Sequence, residues 1–151
     1  MRWHVRCFPH GMREVAHVAV AEDDPDMRGL VTDALRRDGY SVVDFADGAG
    51  LNGAVVERAN GPIDLIVSDI NMPLMTGLAI LRSLRESRST LPVVLMTAFG
   101  DESLRREATR LGAVLFNKPF KIDELRSVVR RLLEQKRNSS SDRRSDAKLE
   151  R

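Results

Sequence analysis

Five short apolar runs, each followed by a stretch with helical spacing, constrain the fold of this 151-residue chain more than any other feature. The clearest run, residues 63–67, is dominated by branched apolar side chains and is bounded by Gly61-Pro62 before it and Pro73 after it. Such a run is typical of a strand buried on both faces of a parallel sheet. The other predicted strands are 16–21, 40–45, 92–96 and 113–116.

The segments that follow these runs carry apolar residues at three- and four-residue spacing, which is typical of amphipathic helices. The first begins after Asp24, a plausible N-cap, and ends before Gly39. The remaining predicted helices are 47–60, one that is marked by Leu78, Leu81 and Leu84 and ends among residues 87–89, 101–111, and one that begins at Ile122 and reaches about Lys136. Alternating strands and helices predict an α/β, flavodoxin-like doubly wound sandwich with a parallel five-stranded sheet in the order 2-1-3-4-5.

Length and composition predict one domain with two different ends. The net charge of the whole chain is only +2, and the basic excess lies in its ends, so the body is mildly acidic. We expect a flexible extension at residues 1–15, a folded domain at 16–137 and a disordered Ser- and Arg-rich tail at 138–151, with no output domain.

Cysteine content and hydropathy predict the compartment. The single cysteine, Cys7, excludes an internal disulfide framework and fits a reducing environment. No apolar run approaches the roughly 18 residues that a membrane-spanning helix needs. We therefore expect a cytoplasmic protein without membrane insertion.

Polar side chains follow four of the five predicted strands at their carboxyl ends. Glu22 and Asp23 follow the first strand, Asp69 the third, Thr97 the fourth and Lys118 the fifth. Ligands of open α/β sheets bind at this edge. Three carboxylates there would repel one another, each pair by on the order of 4 kcal/mol at about 4 Å and an effective dielectric constant near 20. A set of oxygen ligands without His or Cys favours a hard cation such as Mg²⁺.

The lysine and the threonine in this group favour phosphoryl chemistry. A lysine beside a metal-neutralised acidic site suits a further anion, such as phosphate, and Thr97 offers a hydroxyl to a phosphoryl oxygen. Asp69 would attack phosphorus in line and form an acyl phosphate. Mg²⁺, Lys118 and Thr97 would stabilise the charge on the equatorial oxygens. Taken alone, however, Asp69 could equally cap the turn that follows it.

The segment from Asp69 to Gly77 resembles the D-x-x-M-P-x-M-x-G pattern of CheY-like response-regulator receiver domains in two-component signalling. The resemblance continues with the acidic pair after the first strand, with Thr97-Ala98 and with Lys118-Pro119-Phe120, and covers roughly residues 16–135. It implies that Asp69 receives a phosphoryl group from a histidine kinase or a histidine phosphotransfer protein.

The same resemblance implies a set of ligands and a backbone feature. Mg²⁺ would be held by the carboxylates of Asp23 and Asp69 and the backbone carbonyl of Asn71, with Glu22 acting through water. The peptide bond between Lys118 and Pro119 would be cis. An aromatic residue is common three positions before the lysine, where this chain has Leu115. Phe116, as the next residue on the strand, is expected to face the other side of the sheet.

The resemblance also implies how the chain acts. We expect phosphorylation to change the surface formed by the fourth helix, the fifth strand and the fifth helix, which would dock to a downstream protein target. We expect a monomer or a phosphorylation-dependent dimer that does not bind DNA directly. It would not be an enzyme beyond catalysing its own phosphorylation and dephosphorylation.

Three other functions remain as alternatives. A phosphatase with an aspartyl nucleophile, related to the haloacid dehalogenases, usually needs a second acid two residues after the nucleophile, where this chain has Asn71. A binding module could keep the fold without being phosphorylated. Binding of nucleic acid could use Arg126, Arg130 and Arg131 with the basic tail, although no DNA-binding helix pair follows them.

Overall fold

The computed structural model describes residues 14–57 and 62–149, with side chains described as far as residue 143. Strands and helices alternate along the described chain: β1 (His17–Ala21), α1 (Pro25–Arg37), β2 (Ser41–Phe45), α2 (Gly48–Glu57), β3 (Leu65–Asp69), α3 (Gly77–Glu86), β4 (Val93–Thr97), α4 (Glu102–Arg110), β5 (Val114–Asn117) and α5 (Ile122–Leu149). All four strand pairings are parallel, and the strand order is β2-β1-β3-β4-β5. The predicted flavodoxin-like sandwich is therefore confirmed.

The sheet lies between two helical layers because successive strand residues point to opposite faces. On one face, Val18, Val20 and their neighbours pack against α1 and α5. On the other face, Ala19, Ala21 and Ile66 pack against α2, α3 and α4. Every residue of β3 and β4 is buried, which explains why their sequences are continuous apolar runs rather than alternating ones.

Local signals set the beginnings and ends of the helices. Asp24 caps α1 as predicted, since its carboxylate accepts a hydrogen bond from the backbone N–H of Asp26 at 3.0 Å. Thr76 caps α3 and Asp101 caps α4 in the same way. Gly39 follows α1 with a φ of 93°, a left-handed conformation that favours glycine. The loops after β1, β3 and β4 are therefore anchored at both ends.

The end of α5 differs from the prediction. The sequence predicts that α5 stops near Lys136 and that residues 138–151 are disordered, but the helix continues to Leu149. The helix runs through the serines that motivated the prediction, and Ser139, Ser140 and Ser141 each donate their Oγ–H to the carbonyl four residues earlier. Residues 138–143 are all exposed, so no packing against the sheet holds this part of the helix.

Residues 1–13 of the predicted N-terminal extension, which include Cys7, lie outside the described residues. Glu14 and Val15 are exposed, and the carbonyl of Glu14 accepts a hydrogen bond from Arg137 at 3.3 Å. Among the described residues, no helix is both long enough and apolar enough to cross a bilayer.

Candidate functional site

Three carboxylates meet at the carboxyl edge of the sheet. Glu22 directly follows β1 and Asp69 ends β3, and these two strands are neighbours at the switch point of the sheet. Both side chains are buried, whereas Asp23 is exposed. One oxygen from each of the three carboxylates lies within 4.8 Å of the others. The fold thus brings together the acidic residues that the sequence predicts as a cluster.

Lys118 joins this cluster from β5. Although β4 lies between β5 and β3, its long side chain places Nζ 2.7 Å from Oδ2 of Asp69 and 2.8 Å from Oε2 of Glu22. The peptide bond between Lys118 and Pro119 is cis, as the resemblance implies. Lysine and carboxylates therefore form one charge-assisted network.

Burial and this network shift two pKa values. Burial raises the pKa of Glu22 to about 7; the hydrogen bond from Lys118 opposes this rise, and the charge of Asp69 adds to it. Burial by itself would lower the pKa of Lys118, but its hydrogen bonds to Asp69 and Glu22 outweigh that effect, so the pKa is raised. Lys118 is therefore a cation over the whole physiological pH range, whereas Glu22 without a bound cation titrates near neutrality.

Asp69 is held on both of its oxygens. Oδ2 accepts from Lys118, and Oδ1 accepts a hydrogen bond from the backbone N–H of Asn71 at 2.9 Å. Its own carbonyl accepts from the Ser68 hydroxyl at 2.9 Å. Gly77 packs so closely behind it that a Cβ atom there would lie 2.5 Å from the Asp69 carbonyl oxygen. The last residue of the matched motif is thus glycine because α3 must begin against the backbone of Asp69.

Thr97 is fully buried at the end of β4. Its Oγ1 accepts a hydrogen bond from the backbone N–H of Phe99 at 3.1 Å, and its carbonyl accepts from the N–H of Lys118 at 2.7 Å. In the sheet register Asp69 lies opposite Met96, so Thr97 is one residue beyond it. A hydroxyl that accepts one hydrogen bond can still donate another. Thr97 is therefore positioned on the same edge as the carboxylates, with a donor to offer.

The donor set fits a hard divalent cation. With three ionised carboxylates and a protonated Lys118, the cluster has two net negative charges, which one Mg²⁺ would balance. Carboxylate oxygens are the ligands that Mg²⁺ prefers, and the exposed Asp23 leaves the cluster open to solvent. Glu22, Asp23, Asp69 and the carbonyl of Asn71 are the groups that would hold it.

Leu115 and Phe116 lie on opposite faces of β5, as predicted from the alternation along a strand. Leu115 packs against the layer of α2, α3 and α4, whereas Phe116 packs against the layer of α1 and α5. The ring of Phe116 also contacts the ring of Phe120, with their centroids 5.3 Å apart. Phe116 therefore does not occupy the place of the aromatic residue that Leu115 replaces.

Two residues that support the site were missed by the sequence analysis. Gly48 begins α2 in contact with the carbonyl of Met75, where any side chain would overlap the backbone of the β3–α3 loop. Arg28 of α1 donates a hydrogen bond to the carbonyl of Glu22 at 2.8 Å. Helical periodicity gives no signal for either residue. Gly48 contacts a loop that is distant in the sequence, and Arg28 contacts a carbonyl that precedes its helix.

Proteins of similar sequence match most of the chain. The chain is 32% identical over 122 residues to sporulation initiation phosphotransferase F of Bacillus subtilis, which covers 80% of this chain and 96% of that protein. It is 39% identical over 121 residues to the C4-dicarboxylate transport transcriptional regulatory protein DctD of Pseudomonas aeruginosa. That match covers 80% of this chain but only 26% of DctD. The chain thus spans about a quarter of the length of this larger relative.

Solved structures and a family model also match most of the chain. The receiver domain of Francisella response regulator 1452 superposes with a TM-score of 0.74 at 26% identity, covering 80% of this chain and 98% of that domain. The chemotaxis protein CheY4 of Vibrio cholerae gives a TM-score of 0.67 at 28% identity, with coverages of 79% and 99%. The model of the response regulator receiver domain matches residues 18–130. The chain therefore belongs to the family of response-regulator receiver domains.

Proposed function

We propose that this chain accepts a phosphoryl group on Asp69 in a Mg²⁺-dependent reaction and signals through the resulting change of its surface. The donor would be a phosphohistidine side chain of a sensor kinase or of a histidine phosphotransfer protein. The observation that carries the proposal is the ion pair of the buried Asp69 with the partly buried Lys118, beside the two acidic residues after β1. Such a pair leaves a nucleophilic carboxylate next to a fixed cation that can receive phosphoryl oxygens.

The chemical step is a transfer between two nucleophiles. A carboxylate oxygen of Asp69 forms a bond to phosphorus while the bond from phosphorus to the imidazole nitrogen breaks, and the imidazole keeps the electron pair. Lys118 and the hydroxyl of Thr97 stabilise the charge on the phosphoryl oxygens. A bound Mg²⁺ would supply further positive charge to the same oxygens. Asn71, exposed beside Asp69, leaves the approach to the carboxylate open.

The output proposed here is a change in the surface of α4, β5 and α5. Among the described residues, α4 buries only Ala108 completely, and β5 is an edge strand of intermediate burial. Elements with so little buried apolar surface move at low free-energy cost. Thr97 lies between the site and α4, so a hydroxyl drawn towards a phosphoryl group would displace the loop of residues 98–101 that leads into α4.

Several parts of the proposal concern how the chain works in the cell. We propose that it acts by docking to a downstream protein, as a monomer or a phosphorylation-dependent dimer, without binding DNA itself. In this proposal it turns over no external substrate beyond its own phosphorylation and dephosphorylation. The predicted cytoplasmic location stays a prediction.

Acetyl phosphate provides the direct test of the acceptor. Incubation of the chain with acetyl phosphate and Mg²⁺, followed by intact mass spectrometry, is expected to show one labile phosphoryl addition. The addition should disappear in D69N and in the presence of EDTA. D33N is the matched control, because Asp33 is an exposed aspartate on α1 and should leave the addition unchanged.

The alternatives give different results in the same experiment. Steady release of phosphate from phosphate esters would indicate an aspartyl-nucleophile phosphatase. No addition to the wild-type chain at saturating acetyl phosphate and Mg²⁺ would indicate a binding module that is not phosphorylated.

A further inference from the structure

Arg28 lies at a position that is unfavourable for a positive charge. It is in the fourth helical position of α1, near the amino terminus, where the helix dipole disfavours positive charge. Its side chain is only 21% exposed. Two interactions compensate: NH1 donates to the carbonyl of Glu22 at 2.8 Å, and Nε lies 3.2 Å from Oδ2 of Asp44 on β2. The guanidinium thus connects the end of β1 with the neighbouring strand.

The carbonyl that Arg28 binds belongs to the peptide unit between Glu22 and Asp23. The other bonds of Glu22 are already fixed, because its N–H donates to the carbonyl of Phe45 at 3.1 Å and its carboxylate is held by Lys118. Asp23 has no such support: no described residue donates a hydrogen bond to its exposed carboxylate. Its position in the acidic cluster therefore depends on the backbone, where Arg28 binds the carbonyl before Asp23 and the carboxylate of Glu22 accepts a hydrogen bond from the N–H after it, that of Asp24, at 3.3 Å.

We infer that Arg28 is a positioning residue for the cation site: by binding the carbonyl of Glu22, it orients the peptide unit that carries Asp23 and so sets the contribution of Asp23 to cation binding. This inference rests on the proposed function, since it concerns the cation of that site. Geometry and charge predict opposite effects of removing Arg28. Loss of a nearby positive charge alone would strengthen the binding of a divalent cation, whereas loss of the oriented carboxylate weakens it.

The test measures binding of Mn²⁺ alone, by electron paramagnetic resonance of the free ion, so that no phosphoryl donor is needed. R28Q is expected to raise the dissociation constant of Mn²⁺ about tenfold, the size of effect seen when partners of metal ligands are removed. R28K keeps the charge but lacks the planar fork of donors, and it should also weaken binding. R36Q is the matched control, because Arg36 lies on the same helix 4.0 Å from Asp44 but donates to the carbonyl of Val42 rather than to the site.

A double-mutant cycle with D23N separates this role from a general loss of structure. If Arg28 acts through Asp23, then R28Q should change the dissociation constant by less than about twofold in the D23N background. Thermal unfolding of the metal-free variants checks that each is folded; if R28Q is not, R28K and D44N replace it in the cycle. D44N removes the second anchor of Arg28 and should give a smaller effect in the same direction.

The outcomes separate this inference from the proposed function. The role of Arg28 is overturned if R28Q binds Mn²⁺ as tightly as the wild-type chain or more tightly. It is also overturned if R28Q weakens Mn²⁺ binding equally with and without Asp23. Neither result affects the proposed phosphorylation of Asp69. If the wild-type chain binds Mn²⁺ but is not phosphorylated by acetyl phosphate, the proposed function is overturned. The double-mutant cycle still decides the role of Arg28 in that case. A wild-type chain that binds no Mn²⁺ overturns both.

Discussion

At the scale of single residues, the ammonium of Lys118 compensates two buried carboxylates that would otherwise repel each other. Its two hydrogen bonds, to Glu22 and Asp69, join residues that are 96 and 49 positions away in the sequence. The compensation is incomplete, because burial still raises the pKa of Glu22 to about 7. The metal-free site is therefore sensitive to pH in the range where cells operate.

The raised pKa of Glu22 predicts how stability depends on pH. A carboxyl group whose pKa is higher in the folded chain than its ordinary value of 4.5 stabilises the fold below pH 4.5, and this contribution is lost as the pH rises through about 7. The free energy of unfolding of the metal-free chain should therefore fall between pH 5 and pH 8, by up to about 3 kcal/mol. Urea unfolding at several pH values measures it.

E22Q supplies the comparison for that prediction. Glutamine keeps the shape of the side chain but does not ionise, so the pH-dependent loss should be smaller in E22Q than in the wild-type chain. His17, whose pKa is lowered by burial, titrates in both proteins and cancels in the difference. An identical pH dependence of the two proteins would contradict the prediction.

Gly77 provides a second prediction at this scale. In G77A the new methyl group would lie 2.5 Å from the carbonyl oxygen of Asp69, a backbone atom that cannot move without shifting the acceptor itself. We expect a loss of about 1–3 kcal/mol in the free energy of unfolding and slower phosphorylation by acetyl phosphate. G53A is the control: nothing lies within 4 Å of a Cβ at Gly53 in α2, so this change should stabilise the chain by about 0.5–1 kcal/mol.

At the scale of the elements, two arginines of α3 contact α4, a helix in which Ala108 is the completely buried residue among those the structure describes. Arg82 forms an ion pair with Glu107, with Nε 2.6 Å from Oε1. Arg85 donates from Nε to the carbonyl of Leu111, at the end of α4, and from NH1 to the carbonyls of Ser89 and Leu91. Burial lowers the pKa of Arg85. The carboxyl end of α4 is thus fixed to the α3–β4 loop, and its amino end is joined to the loop after Thr97.

This arrangement predicts unequal effects of the two arginines. R85M leaves three partly buried carbonyls without their donor, so the free energy of unfolding should fall by about 1–3 kcal/mol. R82Q removes a more exposed ion pair and should change stability much less. Urea unfolding of both variants at one pH measures the difference. Equal effects would show that Arg85 is not the anchor of α4.

At the scale of the whole molecule, the site draws on four strands, β1, β3, β4 and β5, whose carboxyl ends lie on one edge of the sheet. Helices α1 and α5 cover one face of the sheet, and the other helices cover the opposite face. A phosphoryl group at that edge must stabilise one arrangement of the surface over another. A change from 1:99 to 99:1 between two states requires about 5.5 kcal/mol of differential stabilisation.

Hydrogen exchange tests whether that change reaches the proposed output surface. After phosphorylation by acetyl phosphate with Mg²⁺, amide exchange should change several-fold in the loop 98–101, in α4 and in β5. Amide exchange in residues 18–21 of β1 should not change, because these four residues are completely buried. D69N treated with the same reagents is the control. An intact mass that shows the phosphoryl group, together with an unchanged exchange pattern, would contradict the proposed output.

The order of the elements and the identity of the acidic cluster follow from the sequence pattern. Continuous apolar runs such as Leu65–Val67 require burial on both faces, and parallel strands place their carboxyl ends on one edge, so Glu22, Asp23 and Asp69 could be assigned to one place from the pattern alone. The N-cap of α1 at Asp24 was also predicted, because capping depends on residues that are neighbours in the sequence. The end of α5 was predicted wrongly, because the prediction used the apolar pattern, and the helix continues through residues 138–143 with every side chain exposed.

The contacts that hold that cluster together follow only from the packing of the folded chain. Periodicity shows which face a residue occupies but not which atoms it reaches across the fold. Only the fold could show that Lys118 bonds both Glu22 and Asp69, that Gly77 must lie against the carbonyl of Asp69, and that Arg28 fixes the peptide before Asp23. These contacts form only when separate elements of the fold are placed to within a few tenths of an ångström of the right position, and such placement is set by packing rather than by local sequence.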